Sequence, residues 1–240
     1  MTPGRPVTPE PVEIDAGGVA LRGLWWPGDG LVAILLHAPG DDRDLDRWRP
    51  LIPYLLGNRA SVLAVDLRGH GASDGDWTPG TSNGDFASVV AFARARSRVA
   101  VVCAEGASAL DAVRAAETTV IDGLVLLSPP QPEGDPPRGA GAPKLLIAGS
   151  FDELCASAVA SLRDASIGPA RSVLVPTSES GIALLTGELA ATCREQIVAF
   201  LNERRFDTGS VQRSSGAAQD RLLEIMGMRR SGSESKGANG

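Results

Sequence analysis

One run, Val99 to Ala116, constrains the fold of this chain more than any other stretch. The apolar residues that end at Cys103 are typical of a strand buried on both faces of a parallel sheet. After a short turn around Glu105, apolar side chains recur at helical spacing from Ala107 onward. The run therefore predicts a buried strand, a tight turn and a helix, which is the repeating unit of sheets with helices on both faces.

The same alternation continues along the chain. Gly17 and Gly18 join the first two predicted strands by a hairpin signal, so these strands are expected to form an antiparallel edge. Helical patterns separate the later strands. The result is a predicted α/β fold, with a doubly wound, mostly parallel sheet of about eight strands whose ligand site lies off the strand carboxyl ends. The predicted strands are 12–15, 19–26, 31–36, 61–65, 99–103, 124–127, 145–148 and 172–175.

Composition divides the chain into three parts. Residues 1–11 are rich in proline and predict a flexible N-terminal segment, and residues 12–206 carry the patterns of a single domain. Residues 207–240 are rich in Ser, Gly, Arg and Gln, which predicts a disordered tail with a short amphipathic helix at 217–228. Proline and glycine between 128 and 143 disfavour helix, so we expect no cap domain there.

Charge and cysteine content exclude several classes of function. The 240-residue chain has a net charge of −6 and no basic stripe, so nucleic acid is not an expected partner. No apolar run is long enough for a signal peptide or a membrane span, so a cytoplasmic protein without membrane contacts is expected. Three widely spaced cysteines, Cys103, Cys155 and Cys193, predict neither a disulfide framework nor a zinc site. No metal ion or cofactor is expected.

The stretch from Leu31 to Gly75 carries a specific set of motifs. An apolar strand ends at His37, a tryptophan-bearing helix follows, and Asp-Leu-Arg-Gly-His-Gly-Ala-Ser-Asp-Gly over 66–75 comes after the next strand. Here the chain resembles the α/β-hydrolase family, particularly its small lidless members similar to dienelactone hydrolases and single-domain esterases. The resemblance covers roughly Val12 to Leu201. It implies that His37 and His70 shape loops through hydrogen bonds to the backbone.

The family uses a triad of serine, acid and histidine, in which the imidazole takes the serine proton and the carboxylate orients the imidazole. The serine lies in a strained turn of pattern Gly-x-Ser-x-Gly, where this chain reads Cys-Ala-Glu-Gly-Ala over 103–107. The resemblance therefore places Glu105 at the serine position. We expect Glu105 to have the strained, positive-φ backbone of that turn.

The other two triad positions follow the last two strands. Asp152, in Gly-Ser-Phe-Asp over 149–152, matches the acid of the family. In the family, the loop that carries the histidine has the pattern Pro-x-x-x-His-Gly. The matching residues of this chain are Pro-Thr-Ser-Glu-Ser-Gly over 176–181, which places Ser180 at the histidine position. By this comparison the chain lacks the serine and the histidine and retains the acid.

The oxyanion hole of the family takes one N–H from the residue after the nucleophile and one from the loop after the strand that ends at His37. The resemblance places Gly106 at the first position and Pro39 at the second, and proline has no N–H to donate. Ala38 is the alternative donor if the loop length differs. Four residues are expected to line the pocket: His37, Ala38, Ala104 and Ser128.

These departures predict a pseudoenzyme with a degenerate catalytic triad and a ligand-binding or regulatory role. Two carboxylates, Glu105 and Asp152, are expected at the pocket mouth with no imidazole between them, which raises the pKa of one of them unless an arginine or a water network separates them. Two alternatives stay open: an active hydrolase of small carboxylic esters or lactones, and a scaffold protein acting through its tail. The expected partner is a small molecule in the remaining pocket, and the oligomeric state is left open.

Overall fold

The structure of the chain is a computed structural model that describes residues 8–40, 43–78 and 82–206. The described residues up to Arg205 form one compact unit. The tail predicted over 207–240, with its helix at 217–228, lies outside the described residues. The first strand begins at Glu10, inside the N-terminal segment that composition predicts to be flexible.

Eight strands form one sheet in the order β1-β2-β4-β3-β5-β6-β7-β8. The hairpin β1–β2 is antiparallel and β2 pairs antiparallel with β4, whereas all other neighbours are parallel. This arrangement confirms the predicted doubly wound, mostly parallel sheet. The strands are β1 Glu10–Asp15, β2 Ala20–Trp26, β3 Leu31–Leu36, β4 Ser61–Val65, β5 Val99–Glu105, β6 Gly123–Leu127, β7 Lys144–Gly149 and β8 Ala170–Val175.

Within the described residues, five α-helices cover the sheet, three on one face and two on the other. Helices α2, α3 and α4 pack on the first face, and α1 and α5 pack on the second together with two short 3-10 helices. The bounds are α1 Ile52–Gly57, α2 Ser82–Arg94, α3 Ala107–Ala115, α4 Glu153–Ala165 and α5 190–206, with 3-10 helices at Leu45–Trp48 and Gly181–Leu185.

The two faces of the sheet explain why the central strands are continuously apolar. In β3, Ile34 and Leu36 enter the core beneath α2 and α3, while Ala33 and Leu35 enter the core beneath α1 and α5. Side chains alternate between faces along a strand, so a strand covered on both sides needs apolar residues at every position. Each residue of β3 through β7 is buried accordingly.

No cap domain interrupts the described part of the chain. The connection between β6 and β7, residues 128–143, contains no helix, as its proline and glycine content predicts. Among the helices in the described ranges, none combines the length and apolarity that crossing a lipid bilayer requires. The loops that follow β3, β5, β7 and β8 therefore meet at the carboxyl edge of the sheet without a covering domain.

Candidate functional site

The turn between β5 and α3 is centred on Gly106. Strand β5 ends at Glu105, α3 begins at Ala107, and Gly106 between them has φ 57° and ψ −131°. Glycine adopts this region readily because it has no Cβ, whereas a side chain there is strained. The prediction of a positive φ at Glu105 is wrong. Glu105 still pairs with Leu127 in the β5–β6 ladder, so its backbone is extended and the tip comes one residue later.

The Glu105 side chain is buried, with 1% of its surface exposed, and it forms an ion pair with Arg47. Arg47 Nε donates to Oε1 at 2.7 Å and Nη2 donates to Oε2 at 3.4 Å. The hydrogen bond to Glu105 is the main reason that the pKa of Arg47 is raised, and the Coulomb attraction adds to it. The sequence analysis left open that an arginine lies beside one of the two carboxylates, and Arg47 is that arginine, since it compensates the charge of Glu105.

Two backbone N–H groups complete the shell of this carboxylate. Ala38 N–H, from the loop after β3, donates to Oε1 at 3.3 Å, and Ile182 N–H, from the 3-10 helix after β8, donates to Oε2 at 3.0 Å. A Cβ at Gly181 would lie 2.6 Å from Oε2, so the carboxylate fills the space that a side chain there would need. Glu105 thus connects, through hydrogen bonds, the chain segments that follow β3 and β8.

Of the three backbone positions predicted to supply an N–H to the oxyanion hole, two have an N–H that is already hydrogen-bonded within the protein and one has no N–H. Gly106 N–H donates to the Leu127 carbonyl at 2.9 Å and continues the sheet ladder, so its assignment as a donor to an oxyanion is wrong. The alternative donor, Ala38 N–H, is bound to Glu105, and Pro39 has no N–H. The residue after the tip is Ala107, whose N–H has no carbonyl partner within α3 because it opens that helix.

Both histidines are fixed to the backbone at both ring nitrogens. His37 Nδ1 lies 2.8 Å from the Ala38 carbonyl, and its Nε2 accepts Leu67 N–H at 3.0 Å. His70 repeats the arrangement, with Nδ1 2.8 Å from the Arg68 carbonyl and Nε2 accepting Gly40 N–H at 2.9 Å. An Nε2 that accepts an N–H is unprotonated, so Nδ1 carries the proton and donates it to the carbonyl. The predicted structural role of both histidines is confirmed.

Asp152 and Ser180 lie together beside the N-terminus of α4. The Asp152 carboxylate caps α4 by accepting Cys155 N–H at 3.1 Å, and Ser180 Oγ lies 3.8 Å from Cys155 Sγ. Hydrogen bonds from the Cys155 thiol and backbone and from the Ser180 hydroxyl lower the pKa of Asp152 against the effect of burial. Burial, reinforced by Asp152, raises the pKa of Cys155 to about 11, which keeps the thiol protonated at neutral pH.

The nearby hydroxyl groups are bound to the backbone as well. Ser108 Oγ donates to the His37 carbonyl at 2.7 Å, and Ser128 Oγ accepts Gly181 N–H at 2.8 Å. Ser128 has φ 45°, so its backbone is in a strained conformation directly after β6. All four predicted pocket-lining residues are buried: His37, Ala38, Ala104 and Ser128.

A cavity of about 360 Å³ lies between the loops after β3 and β4. Pro39 is the one predicted site residue among those that line it, and the others are Gly40, Gly69, His70, Asp76 and Trp77. Sequence patterns missed Arg47 because an arginine in a helical stripe has the appearance of a solvated residue. The sequence does contain one signal for such a residue, because a glutamate at the end of a buried strand requires a partner of opposite charge. In the described residues, no three His, Cys, Asp or Glu side chains are grouped to hold a metal ion.

Comparison with known proteins identifies the family. Residues 33–212 match the family described as "Alpha/beta hydrolase family". No curated protein sequence matches the chain. The fold is similar to an esterase of Pyrococcus furiosus, with a TM-score of 0.69 and 19% identity over 82% of this chain and 90% of the esterase.

Two further solved structures have the same fold. Est1E of Butyrivibrio proteoclasticus, with ferulic acid bound, has a TM-score of 0.66 and 18% identity over 80% of this chain and 98% of its own. A dienelactone hydrolase of Anabaena variabilis has a TM-score of 0.66 and 16% identity over 83% of this chain and 99% of its own. Identities this low establish the fold alone. The family match spans most of the chain, and with the sheet order and the β5–Gly106–α3 turn it shows that this protein belongs to the α/β-hydrolase family.

Proposed function

We propose that this protein is a non-catalytic α/β-hydrolase-fold protein, a pseudo-hydrolase with a degenerate triad. The observation that carries the proposal is the fixation of His37 and His70, each with both ring nitrogens bound to backbone groups. The chain contains only these two histidines. Serine and cysteine hydrolases need a base to activate the nucleophile, and neither imidazole has a free nitrogen for that proton.

In this proposal the nucleophile position of the fold is Gly106 rather than Glu105. The backbone conformation supports this assignment, because Gly106 has the positive φ and lies between the last residue of β5 and the first residue of α3. Strain of this kind is what presents a nucleophile above the sheet in the nucleophile elbow. The triad positions are therefore Gly106 for the nucleophile, Asp152 for the acid and Ser180 for the histidine. Of these three, Asp152 alone is the residue type that the triad requires at its position.

Glu105 has a structural role in this proposal. Its carboxylate accepts from Arg47 and from two backbone N–H groups, and 1% of its side chain is exposed. A carboxylate nucleophile must reach a substrate carbon and must lose its ester to water that a base activates. Burial opposes the first requirement and the fixed histidines oppose the second, which counts against the alternative of an active ester or lactone hydrolase.

The test is an activity assay with p-nitrophenyl acetate on the full chain and on two double variants. We expect no turnover by the wild type. Gly106→Ser with Ser180→His restores a serine at the tip and an imidazole beside Asp152, and we expect it to gain turnover. Ala107→Ser with Ser180→His is the matched control, with the hydroxyl one residue away and the Arg47–Glu105 pair intact, and we expect no gain. Saturable turnover by the wild type that survives Cys155→Ala would refute the proposal.

A further inference from the structure

A second concave surface lies away from the carboxyl edge of the sheet, between α1 and α5. We call it the α1/α5 groove. Its volume is about 490 Å³, within the range of roughly 300 to 1,000 Å³ that is usual for small-molecule sites. Gly57, Val198 and Ala199 line its apolar part. A Cβ at Gly57 would meet nothing within 4 Å, so this part of the groove is open.

The polar end of the groove contains Arg194, which is held in one orientation. Its guanidinium carbon lies 4.5 Å from the Tyr54 ring centroid, and Nη1 donates to the Tyr54 hydroxyl at 2.7 Å. Nη2 donates to the Leu185 carbonyl. These contacts immobilise the side chain, so binding a ligand here costs little further side-chain entropy.

The charge of Arg194 is not compensated within the described residues. No carboxylate there forms an ion pair with it, although ten other arginines have such a partner. Its Nε is buried and has no hydrogen-bond partner among the same residues. A fixed guanidinium at the end of an apolar groove is complementary to a carboxylate that carries an apolar body.

Two other polar features narrow the class of ligand. Glu195 also lines the groove and is exposed. Because its carboxylate repels negative charge, a ligand with two negative charges is disfavoured relative to a ligand with one. The amides of Asn58 and Asn202 hydrogen-bond to each other, with Asn58 Nδ2 donating to Asn202 Oδ1 at 3.0 Å. Asn202 Nδ2 donates back to Asn58 Oδ1 at 3.3 Å, so one N–H and the oxygen of each amide are already used within the pair.

We propose that the α1/α5 groove binds a monoanionic amphiphile, a carboxylate with a compact alkyl body. Arg194 takes the carboxylate, and Gly57, Val198 and Ala199 contact the alkyl part. The groove uses none of the residues assigned to the degenerate triad, so this site stands independently of the proposed loss of catalysis.

The test is calorimetric titration of the full chain with sodium octanoate, with octylammonium chloride as the charge-reversed probe. We expect octanoate to bind and octylammonium not to bind. Gly57→Leu fills the apolar part of the groove, and we expect it to weaken octanoate binding by at least about tenfold. Gly84→Leu is the matched control, because Gly84 also faces open space but lies on α2, on the opposite face of the sheet.

A second variant tests the charge. Arg194→Met removes the guanidinium and keeps an unbranched side chain, and we expect it to weaken octanoate binding by roughly tenfold or more. Melting temperatures of all variants establish that they are folded. Absence of octanoate binding by the wild type, equal binding of octylammonium, or unchanged affinity in Gly57→Leu would each overturn the proposal.

Discussion

Arg47 Nε lies 2.7 Å from Glu105 Oε1, and this pair joins the 3-10 helix after β3 to the last residue of β5. The glutamate side chain is 1% exposed and the arginine 32% exposed, so the carboxylate depends on one partly solvated cation for its compensation. The same carboxylate holds Ala38 and Ile182 N–H groups. The centre of the carboxyl edge is therefore occupied by a structural ion pair.

Removing either member of this pair is expected to destabilise the fold. Arg47→Met leaves the buried carboxylate uncompensated, and we expect a loss near the lower end of about 3 to 5 kcal/mol because Arg47 reaches solvent. Glu105→Ala also orphans two backbone N–H groups, so its cost is expected to be larger. Urea unfolding measures both free energies.

The double variant separates this interaction from the individual losses. Because the two side chains contact each other, the free-energy changes of Arg47→Met and Glu105→Ala are expected to be less than additive. Arg59→Met is a suitable control, since Arg59 pairs with Asp29 at the surface and its loss is expected to cost less than about 1 kcal/mol. Additive changes at Arg47 and Glu105 would contradict a direct coupling.

The backbone of Gly106 leads to a second prediction. At φ 57° and ψ −131°, a side chain is strained, and a Cβ would lie 3.0 Å from the Ala38 Cβ. Gly106→Ala is therefore expected to lower the free energy of unfolding by about 1 to 3 kcal/mol. Gly84→Ala in α2 is the control and is expected to be stabilising by about 0.4 to 1 kcal/mol. A neutral or stabilising Gly106→Ala, measured by urea unfolding, would show that the turn relaxes.

The sequence predicts the elements of this turn well and its tip poorly. Apolar residues mark β5 and helical spacing marks α3, because burial on two faces and on one stripe leaves distinct patterns. The residue at the tip is ambiguous because Ala104, Gly106 and Ala107 are all small. The pattern Gly-x-Ser-x-Gly can therefore be aligned with its centre on residue 105 or on residue 106. Hydrogen bonding of Glu105 into the β5–β6 ladder decides between them. That pairing is tertiary and has no local signature.

The partner of Glu105 illustrates a second limit. Arg47 is 58 residues away from Glu105 in sequence, and Ala38 and Ile182 are 67 and 77 residues away. Residue types predicted which loops follow the strands and that they meet at one edge. Which charge lies against which carboxylate depends on the path of the 3-10 helix Leu45–Trp48, and periodicity does not encode that path.

The histidines provide a prediction about protonation. Burial lowers the pKa of His37 below its ordinary value of 6.5, and a proton on Nε2 would also break the hydrogen bond from Leu67 N–H. The unfolded chain takes up this proton near 6.5, so the stability that neutral His37 confers is complete above that pH. It is lost as pH falls from 6.5 toward the lower pKa of the folded state.

NMR titration of the imidazole protons measures this directly, because the chain has only two histidines to assign. The His37 resonance is expected to keep its neutral shift to a pH below 6.5. His70→Gln provides the assignment by leaving a single imidazole. Titration of His37 at 6.5 or above would mean that the imidazole is free of the Leu67 N–H and available as a base, which would reopen the case for catalysis.

Cys155 provides the last prediction, because it is the half-buried thiol beside Asp152 and Ser180. With a pKa of about 11, mainly from burial and further from Asp152, the thiol is expected to react slowly with iodoacetamide at neutral pH. The rate is expected to rise about tenfold per pH unit up to that pKa, since the thiolate is the nucleophile. Asp152→Asn removes the negative charge and is expected to increase the rate at fixed pH. Cys155→Ala identifies the modified residue by mass spectrometry. Fast alkylation of Cys155 at pH 7, unaffected by Asp152→Asn, would instead establish an activated thiol at this edge of the sheet.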